Sequence, residues 1–191
     1  MNTTSTKQRL ILSLLELGSK KGIDNVSIAM LAKENDISKA SVFHHFTSRE
    51  EMISSLFAYC RKLAYSQQIT IAFTGSASDV LFRAMDHWSD VYTTEPLSWF
   101  YCIIEAEKLI HPEASSIART LSEMFDAQSR VLIEELSETG RLEVEDLDLA
   151  IEMFSATVQN FLSKILIGIE TDLPWREERF INSFCALYKG Q

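Results

Sequence analysis

The stretch from Val26 to Met52 reads VSIAMLAKENDISKASVFHHFTSREEM, and it decides the fold of the chain. Its apolar spacing predicts two short helices, over about 28–34 and 39–45, followed by the capped start of a longer one. The turn between the short helices lies at Asn35-Asp36, and these residue types best tolerate a left-handed backbone after glycine. Two short helices around such a turn are typical of a helix-turn-helix, which places its second helix in the major groove of DNA.

Serine residues mark the starts of these helices. Ser27, Ser38 and Ser48 each precede a helical pattern, where a serine hydroxyl can accept a hydrogen bond from the first turn. Ser48 with Glu51 also fits a capping box, in which the glutamate side chain bonds back to the N-cap backbone. A helix N-terminus can also bind phosphate, so each serine has two open interpretations: a cap alone, or a cap that also touches DNA.

The remainder of the chain has the composition of a helical protein. Of 191 residues, 46% are hydrophobic, and only 3 are proline and 6 are glycine. A helical period of apolar residues continues nearly throughout, and no alternating strand pattern stands out. Pro96, Pro112 and Pro174 each stand just before such a pattern, where proline begins a helix without losing a hydrogen bond. The sequence therefore predicts an all-α fold of about nine helices.

The helix pattern predicts two parts. A helix-turn-helix head would occupy residues 1–50, and a larger helical body would occupy residues 51–191. A long fourth helix, from Ser48 to about Ala72, would join them.

The charges divide in a similar way. Residues 1–65 hold nine Lys and Arg against six Asp and Glu, whereas residues 66–191 hold nine against twenty-one. The first segment therefore carries a charge of +3 and the second a charge of −12, which together give the net charge of −9. A mildly basic head on an acidic body favours phosphate contact through the head.

No segment has the length or composition of a membrane span or a secretion signal. The longest apolar run, Ile165 to Ile169, is far too short to cross a bilayer, and the N-terminus lacks the apolar core of a signal peptide. Cys60, Cys102 and Cys185 are widely spaced and odd in number, as expected of free thiols in a reducing compartment. We expect a cytoplasmic protein without membrane contact.

From Arg9 to Met52 the chain resembles the TetR family of transcriptional regulators. The resemblance is carried by Lys21-Gly22, Ser27, Leu31-Ala32, Ile37-Ser38-Lys39, Val42-Phe43-His44-His45-Phe46 and Ser48-Arg49-Glu50-Glu51-Met52. The family favours glycine where this chain has Asp36 and Ala40, and a tyrosine whose hydroxyl reaches phosphate where it has Phe43. The resemblance implies DNA contacts by Ser27, Ser38, Lys39, Ala40, Ser41, Phe43, His44, Thr47 and Arg49.

The resemblance also implies how these contacts divide. Lys39, Ala40 and Ser41 would face base edges, with the lysine towards guanine and the alanine towards a thymine methyl. Four residues would hold phosphates and set the register on the duplex: Ser27, His44, Thr47 and Arg49.

The TetR-like body is expected to bind a small molecule that is largely apolar or aromatic. Aromatic side chains with a few polar anchors are typical of such a pocket. The candidate ligand-binding residues are Phe57, Tyr65, His87, Trp88, Tyr92, Trp99, Tyr101, Glu105, Phe125 and Gln128. The alternative is that these aromatic residues only fill the core.

The last two helices carry apolar stripes wide enough for association as well as for the chain's own core. By resemblance they are expected to form a homodimer interface. The candidate interface residues are Ile151, Phe154, Val158, Phe161, Leu162, Ile165, Phe180 and Phe184, and the first stripe continues to Ile169.

We therefore predict a homodimeric, ligand-responsive repressor that binds palindromic double-stranded DNA and is released by a small-molecule effector. A dimer would place two recognition helices roughly 34–36 Å apart, one duplex turn. The sequence contains no catalytic or metal-binding constellation and indicates no cofactor. Two alternatives stay open: a helix-turn-helix adaptor that binds proteins rather than an operator, and an all-α enzyme.

Overall fold

The structure is a computed structural model that describes residues 5–66, 70–168 and 172–189. Over these ranges the chain forms nine α-helices, one short 3₁₀ turn at Ile23–Asn25 and no strand, which confirms the all-α prediction. The helices are α1 (Thr6–Lys21), α2 (Ile28–Glu34), α3 (Lys39–His45), α4 (Arg49–Tyr65), α5 (Ala77–Thr93), α6 (Leu97–Glu107), α7 (Pro112–Glu138), α8 (Leu147–Leu166) and α9 (Leu173–Leu187).

The predicted end of α4 is wrong. The helix was expected to reach about Ala72, but it ends at Tyr65 with Ser66 as its C-cap. The Ser66 hydroxyl donates to the carbonyl of Leu63 at 2.7 Å and its N–H donates to the same carbonyl at 3.0 Å. Such local side-chain bonds compete with continuation of a helix. Residues 70–75, which were expected to be partly helical, contain no helix, and residues 67–69 lie outside the described ranges.

The first of two compact units comprises residues 1–67 and 95–120, which include α1–α4, α6 and the first turns of α7. Helix α1 packs closely against α6: a Cβ built on Gly18 would lie 3.1 Å from Cδ1 of Ile103. The Lys20 ammonium lies 5.9 Å from the centre of the Trp99 ring. The head helices therefore share one core with α6. Its fully buried side chains include Leu10, Leu14, Leu15, Leu31, Val42, Phe46, Leu56 and Phe100.

The second unit comprises residues 68–94 and 121–191, which include α5, the rest of α7, α8 and α9. Its core is centred on Phe154, a fully buried side chain of α8. The Phe154 ring lies 5.4 Å from that of Phe184, 5.9 Å from that of Phe180 and 6.4 Å from that of Trp88, measured between centroids. Among the described helices, none is long and apolar enough to cross a bilayer.

Candidate DNA-binding surface

The turn between α2 and α3 has the predicted left-handed residue. Asp36 has a φ of 53°, and it is the only non-glycine residue with a positive φ in the described part of the chain. The turn is closed by a bond from the N–H of Ile37 to the carbonyl of Ala32 at 3.0 Å. Asn35 anchors it on both sides, because its amide donates to the Leu31 carbonyl at 3.0 Å and accepts from the Ser13 hydroxyl at 3.3 Å. These bonds fix the direction in which α3 leaves the turn.

Helix α3 presents one face to the core and the other to solvent. Val42 on the helix and Phe46 just after it are fully buried, so they anchor the inner face. The outer residues are all exposed, and Phe43 keeps 50% of its surface accessible. Five of the nine predicted DNA-contact residues therefore lie together on one helix surface: Lys39, Ala40, Ser41, Phe43 and His44.

The three serine caps of the head form as predicted. The Ser27 hydroxyl accepts from the N–H of Met30 at 3.2 Å, and the Ser38 hydroxyl accepts from that of Ser41 at 3.1 Å. The Ser48 hydroxyl accepts from the first turn of α4 at 3.1 Å. A serine hydroxyl that accepts one bond keeps its own proton for another acceptor. A cap can therefore also serve a phosphate oxygen, which leaves both interpretations compatible with this geometry.

The capping box predicted at the start of α4 is incomplete. The Glu51 carboxylate accepts from the N–H and the hydroxyl of Thr47, each at 2.7 Å, and no described bond joins it to the N–H of Ser48. The physical reason is that Thr47 offers two converging donors, whereas Ser48 would offer one. The bonds from Thr47 lower the pKa of the Glu51 carboxyl, and the nearby Lys7 ammonium lowers it further.

Arg49, a predicted phosphate contact, is held within the head. Its Nη2 donates to the carbonyl of Ile23 at 3.0 Å and to the carboxylate of Asp24 at 3.1 Å. A guanidinium has five N–H donors, so these two bonds use only part of its capacity. The arginine links the start of α4 to the turn after α1 and thereby positions the α4 N-terminus.

Lys7 is a cation beside this surface that the sequence analysis missed. Its ammonium lies 5.2 Å from the centre of the buried Phe46 ring and 3.8 Å from the Glu51 carboxylate, and its side chain is 45% exposed. These neighbours put a positive charge next to Thr47, a predicted phosphate contact. Nothing in the spacing from residue 7 to residues 46–51 indicates this placement, because only the folding of α1 over the α3–α4 corner creates it.

Three predicted ligand-binding residues come together in the second unit. The Trp88 indole N–H donates to the Gln128 amide oxygen at 3.1 Å, and the Trp88 ring lies 4.5 Å from that of Phe125 between centroids. Tyr92 packs against the same core. His87, on the same helix as Trp88, is exposed.

The other five predicted ligand-binding residues belong to the first unit and are scattered there. Phe57 is buried with its ring 5.4 Å from that of His111, and Trp99 faces Lys20 of α1. Tyr101 is buried, and burial raises the pKa of its hydroxyl.

Glu105 is exposed and pairs with Lys108 at 2.7 Å, and Tyr65 is 63% exposed. The ten candidates are thus divided between the two units, and three of them are joined by a hydrogen bond from Trp88 to Gln128 and a tilted ring contact between Trp88 and Phe125.

The predicted dimer residues face the core of their own chain. Ile151, Phe154, Val158, Phe161, Leu162 and Phe184 are buried, and Ile165 and Phe180 are partly buried against the same core. Ile169 lies outside the described residues. The exposed apolar side chains on α8 and α9 are different ones: Leu149, Met153, Trp175 and Leu187.

No cluster of three or more His, Cys, Asp or Glu side chains is placed to hold a metal ion within residues 5–66, 70–168 and 172–189. The surface built by α2, α3 and the start of α4 is the candidate functional site because it places hydrogen-bond donors and cations around an exposed helix.

Comparison with known proteins agrees with this geometry. Residues 10–56 match the model of the tetR family of bacterial regulatory proteins, which confirms the resemblance drawn from the sequence. The head is therefore similar in sequence to the helix-turn-helix of tetR-family proteins. A sequence comparison with curated proteins gave no match.

Solved structures share the whole fold. A transcriptional regulator from Saccharomonospora viridis in complex with choline aligns with a TM-score of 0.72 at 20% identity, over 95% of this chain and 96% of that one. The TetR-family regulator PfmR from Thermus thermophilus aligns with a TM-score of 0.62 at 22% identity, over 97% and 96%. The ketosteroid transcriptional regulator KstR2 of Mycobacterium tuberculosis aligns with a TM-score of 0.62 at 14% identity, over 100% and 98%.

Proposed function

We propose, with the tetR-family head as the premise, that this chain is a transcriptional regulator that inserts α3 into the major groove of operator DNA. The observation that carries the proposal is the outer face of α3. The left-handed turn at Asp36 and the buried Val42 hold this helix so that its small and polar residues are exposed. A short helix held in this way can approach base edges without steric obstruction.

The contacts follow from the side-chain chemistry. Lys39 can donate to guanine acceptors, and Ala40 can pack on a thymine methyl group. Ser27 and Thr47 stand at helix starts and His44 lies on the outer face of α3, so these residues would contact phosphates. Arg49 would add a phosphate contact through the donors that Ile23 and Asp24 do not occupy.

We further propose a homodimer through the exposed faces of α8 and α9. Leu149, Met153 and Trp175 offer exposed apolar area, of the kind that marks association surfaces. A groove beside α8 is lined by Asp126, Asp148 and Glu152, with Arg130 paired to Asp148.

A second groove, between α8 and α9, is lined by Arg176 and Arg179. In a two-fold arrangement the basic groove of one copy can meet the acidic groove of the other, and the symmetry repeats this contact a second time. This charge complementarity between the two grooves favours a second copy of the chain as the partner.

The regulator would act in the cytoplasm as a repressor that a small molecule releases from DNA. Ligand binding needs only a different affinity for two arrangements of the heads to change operator occupancy. The choline complex of the Saccharomonospora viridis protein supports small-molecule binding by a chain of this fold.

Selection of duplexes from a random pool by the purified protein tests the proposal. We expect enrichment of a near-palindromic sequence, and affinity for it should fall with salt by roughly 0.9 log units per log unit of salt for each phosphate contact. Lys39→Ala should lower affinity for that sequence by about 1–3 kcal/mol and relax the preference at one base position. A pool without enrichment would refute operator binding, and equal losses of Lys39→Ala on all duplexes would refute the base-reading role of Lys39.

One observation favours a second candidate, a helix-turn-helix adaptor that binds a protein. Phe43 exposes an apolar ring on the outer face of α3, where the family has a phosphate-contacting tyrosine. An adaptor would give no enriched duplex and little dependence of binding on salt. Phe43→Tyr separates the two: it should strengthen operator binding in a regulator and weaken partner binding in an adaptor.

A further inference from the structure

We propose that the second unit contains a binding groove for an uncharged, largely apolar small molecule, between α7 and the extended residues that precede α5. Ile71 and Phe73 form one wall, and Met124, Ala127 and Val131 of α7 form the other, with the Gln128 amide between them. The identification of the bound molecule as the effector rests on the proposed regulatory function. The groove itself rests on geometry alone.

The size and chemistry of the groove define the ligand class. Its volume is about 290 Å³, close to the lower end of the range of small-molecule sites, which begins at about 300 Å³. Among the described residues that line it, none is charged. An ion would therefore lose its hydration without gaining a partner, whereas a neutral ring system would lose only unfavourable contact with water.

Two arginines hold the extended wall in place. Arg83 of α5 donates to the carbonyl of Ala72 at 2.7 Å and to that of Thr74. Arg141, just after α7, donates to the carbonyl of Phe73 at 3.0 Å and to that of Gly75 at 3.3 Å. Four successive carbonyls are thus bound by two guanidinium groups. A wall fixed in this way does not have to be ordered when the ligand binds, which favours affinity.

The polar group of the groove is also oriented. The Trp88 indole N–H donates to the Gln128 amide oxygen at 3.1 Å, and Trp88 itself is 4% exposed with its ring 4.5 Å from that of Phe125. The amide is therefore held in one orientation at the groove. The apolar part of a ligand would contact Ile71 and Val131.

The wall lies close in sequence to α4, the helix that begins at the proposed DNA surface. Residues 70–75 follow shortly after α4, whose N-terminus carries the Ser48 cap of the proposed DNA surface. If the groove binds its ligand with different affinities in the DNA-bound and the free protein, ligand binding and DNA affinity are coupled, and by linkage each changes the other by the same factor.

The test uses N-phenyl-1-naphthylamine, an uncharged dye that fluoresces in apolar sites, and 8-anilino-1-naphthalenesulfonate, which adds one negative charge to the same rings. We expect saturable binding of the neutral dye at one site per chain. The sulfonate should bind at least about tenfold more weakly, since a tenfold change corresponds to about 1.4 kcal/mol and burying an unpaired charge costs at least that.

Two substitutions should remove the site without damaging the core. Val131→Glu adds a charge at a position that is 57% exposed, and Ala127→Trp fills the groove from an exposed position. Each substitution should lower the affinity for the neutral dye by about tenfold or more. Ile167→Glu is the matched control, because Ile167 is 65% exposed in the same unit and does not line the groove. This control should leave dye affinity within about twofold of the parent.

Unchanged dye affinity in both groove variants, or equal affinity for the two dyes, would overturn the groove. The same proteins are then tested on the selected duplex. Val131→Glu should bind DNA like the parent and lose only the effect of the dye on that binding. If no protein, including the parent, binds any duplex, the regulatory proposal fails while the dye result still decides the groove.

Discussion

Asp36 combines a strained backbone with a negative charge, and the two effects can be separated by substitution. Its φ of 53° places an L-residue in the left-handed region, at a cost of about 1 kcal/mol, the lower end of the usual range because Asp tolerates this region. Glycine at this position removes the strain and loses about 0.5 kcal/mol through its greater unfolded-state freedom. The carboxylate also lies just beyond the C-terminus of α2, where a negative charge costs about 0.3–0.5 kcal/mol.

The sum for Asp36→Gly is a gain of about 1 kcal/mol in the free energy of unfolding, which corresponds to about 2–4 °C in Tm for a chain of this size. Asp36→Asn removes the charge but keeps the Cβ, so it should recover only the electrostatic part, about 0.3–0.5 kcal/mol. Urea unfolding at one fixed protein concentration measures both, because association makes stability depend on concentration. A lower stability of the glycine variant would refute the strain argument.

DNA affinity should depend on the charge of Asp36 and not on its backbone strain. Both variants remove the same charge, so both should raise operator affinity equally. A charge pair at about 10 Å in water contributes about 0.4 kcal/mol, or about twofold for each head. The gain should shrink as salt rises, because exposed charges are screened beyond about 10 Å at 0.1 M. A gain confined to the glycine variant would show that backbone strain, not charge, limits docking.

Three further predictions concern the α4 cap, the second core and the dimer. Hydrogen bonds from Thr47 lower the pKa of the Glu51 carboxyl, so the carboxylate stabilises the fold above its unfolded-state pKa and loses this effect as pH falls through its folded-state pKa. The stability of Glu51→Gln should therefore depend less on pH in the acid range. An unchanged dependence of stability on pH would count against the bond. Phe154→Ala removes a fully buried ring and should cost about 3–5 kcal/mol in urea unfolding, so a loss below about 1 kcal/mol would contradict its central place. Arg179→Glu should weaken the dimer in sedimentation analysis, and combining it with Glu152→Arg should restore the dimer. A double variant that stays as weak as Arg179→Glu would refute the proposed charge complementarity.

Local signals predicted the head well, because its structure depends on short-range chemistry. The serine caps and the Asn35-Asp36 turn act within a few residues, and the bounds of α2 and α3 agree with the sequence-based ranges. The incomplete capping box shows where such signals stop. Both Ser48 and Thr47 lie within reach of Glu51, and only the folded backbone decides which of them bonds to it.

The body was less predictable because an apolar stripe identifies a buried face but not what covers it. The α8 stripe around Phe154 was expected to serve association as well as the chain's own core, and the structure places it in the core of its own unit. Trp88 and Trp99 are close in sequence, but the structure assigns them to different units. Periodicity contains no information about long-range pairing, so these assignments required coordinates.

The arginine bonds to the wall at residues 72–75 involve only main-chain oxygen atoms of that segment. These hydrogen bonds therefore do not depend on the side chains that the segment carries, whereas Ile71 and Phe73 also pack against the core of the unit. Positions 71 and 73 could exchange their side chains for other apolar ones while Arg83 and Arg141 kept the backbone in place. Such an arrangement would let a lineage of these proteins change which compound it senses by one or two substitutions, without rebuilding the scaffold around them.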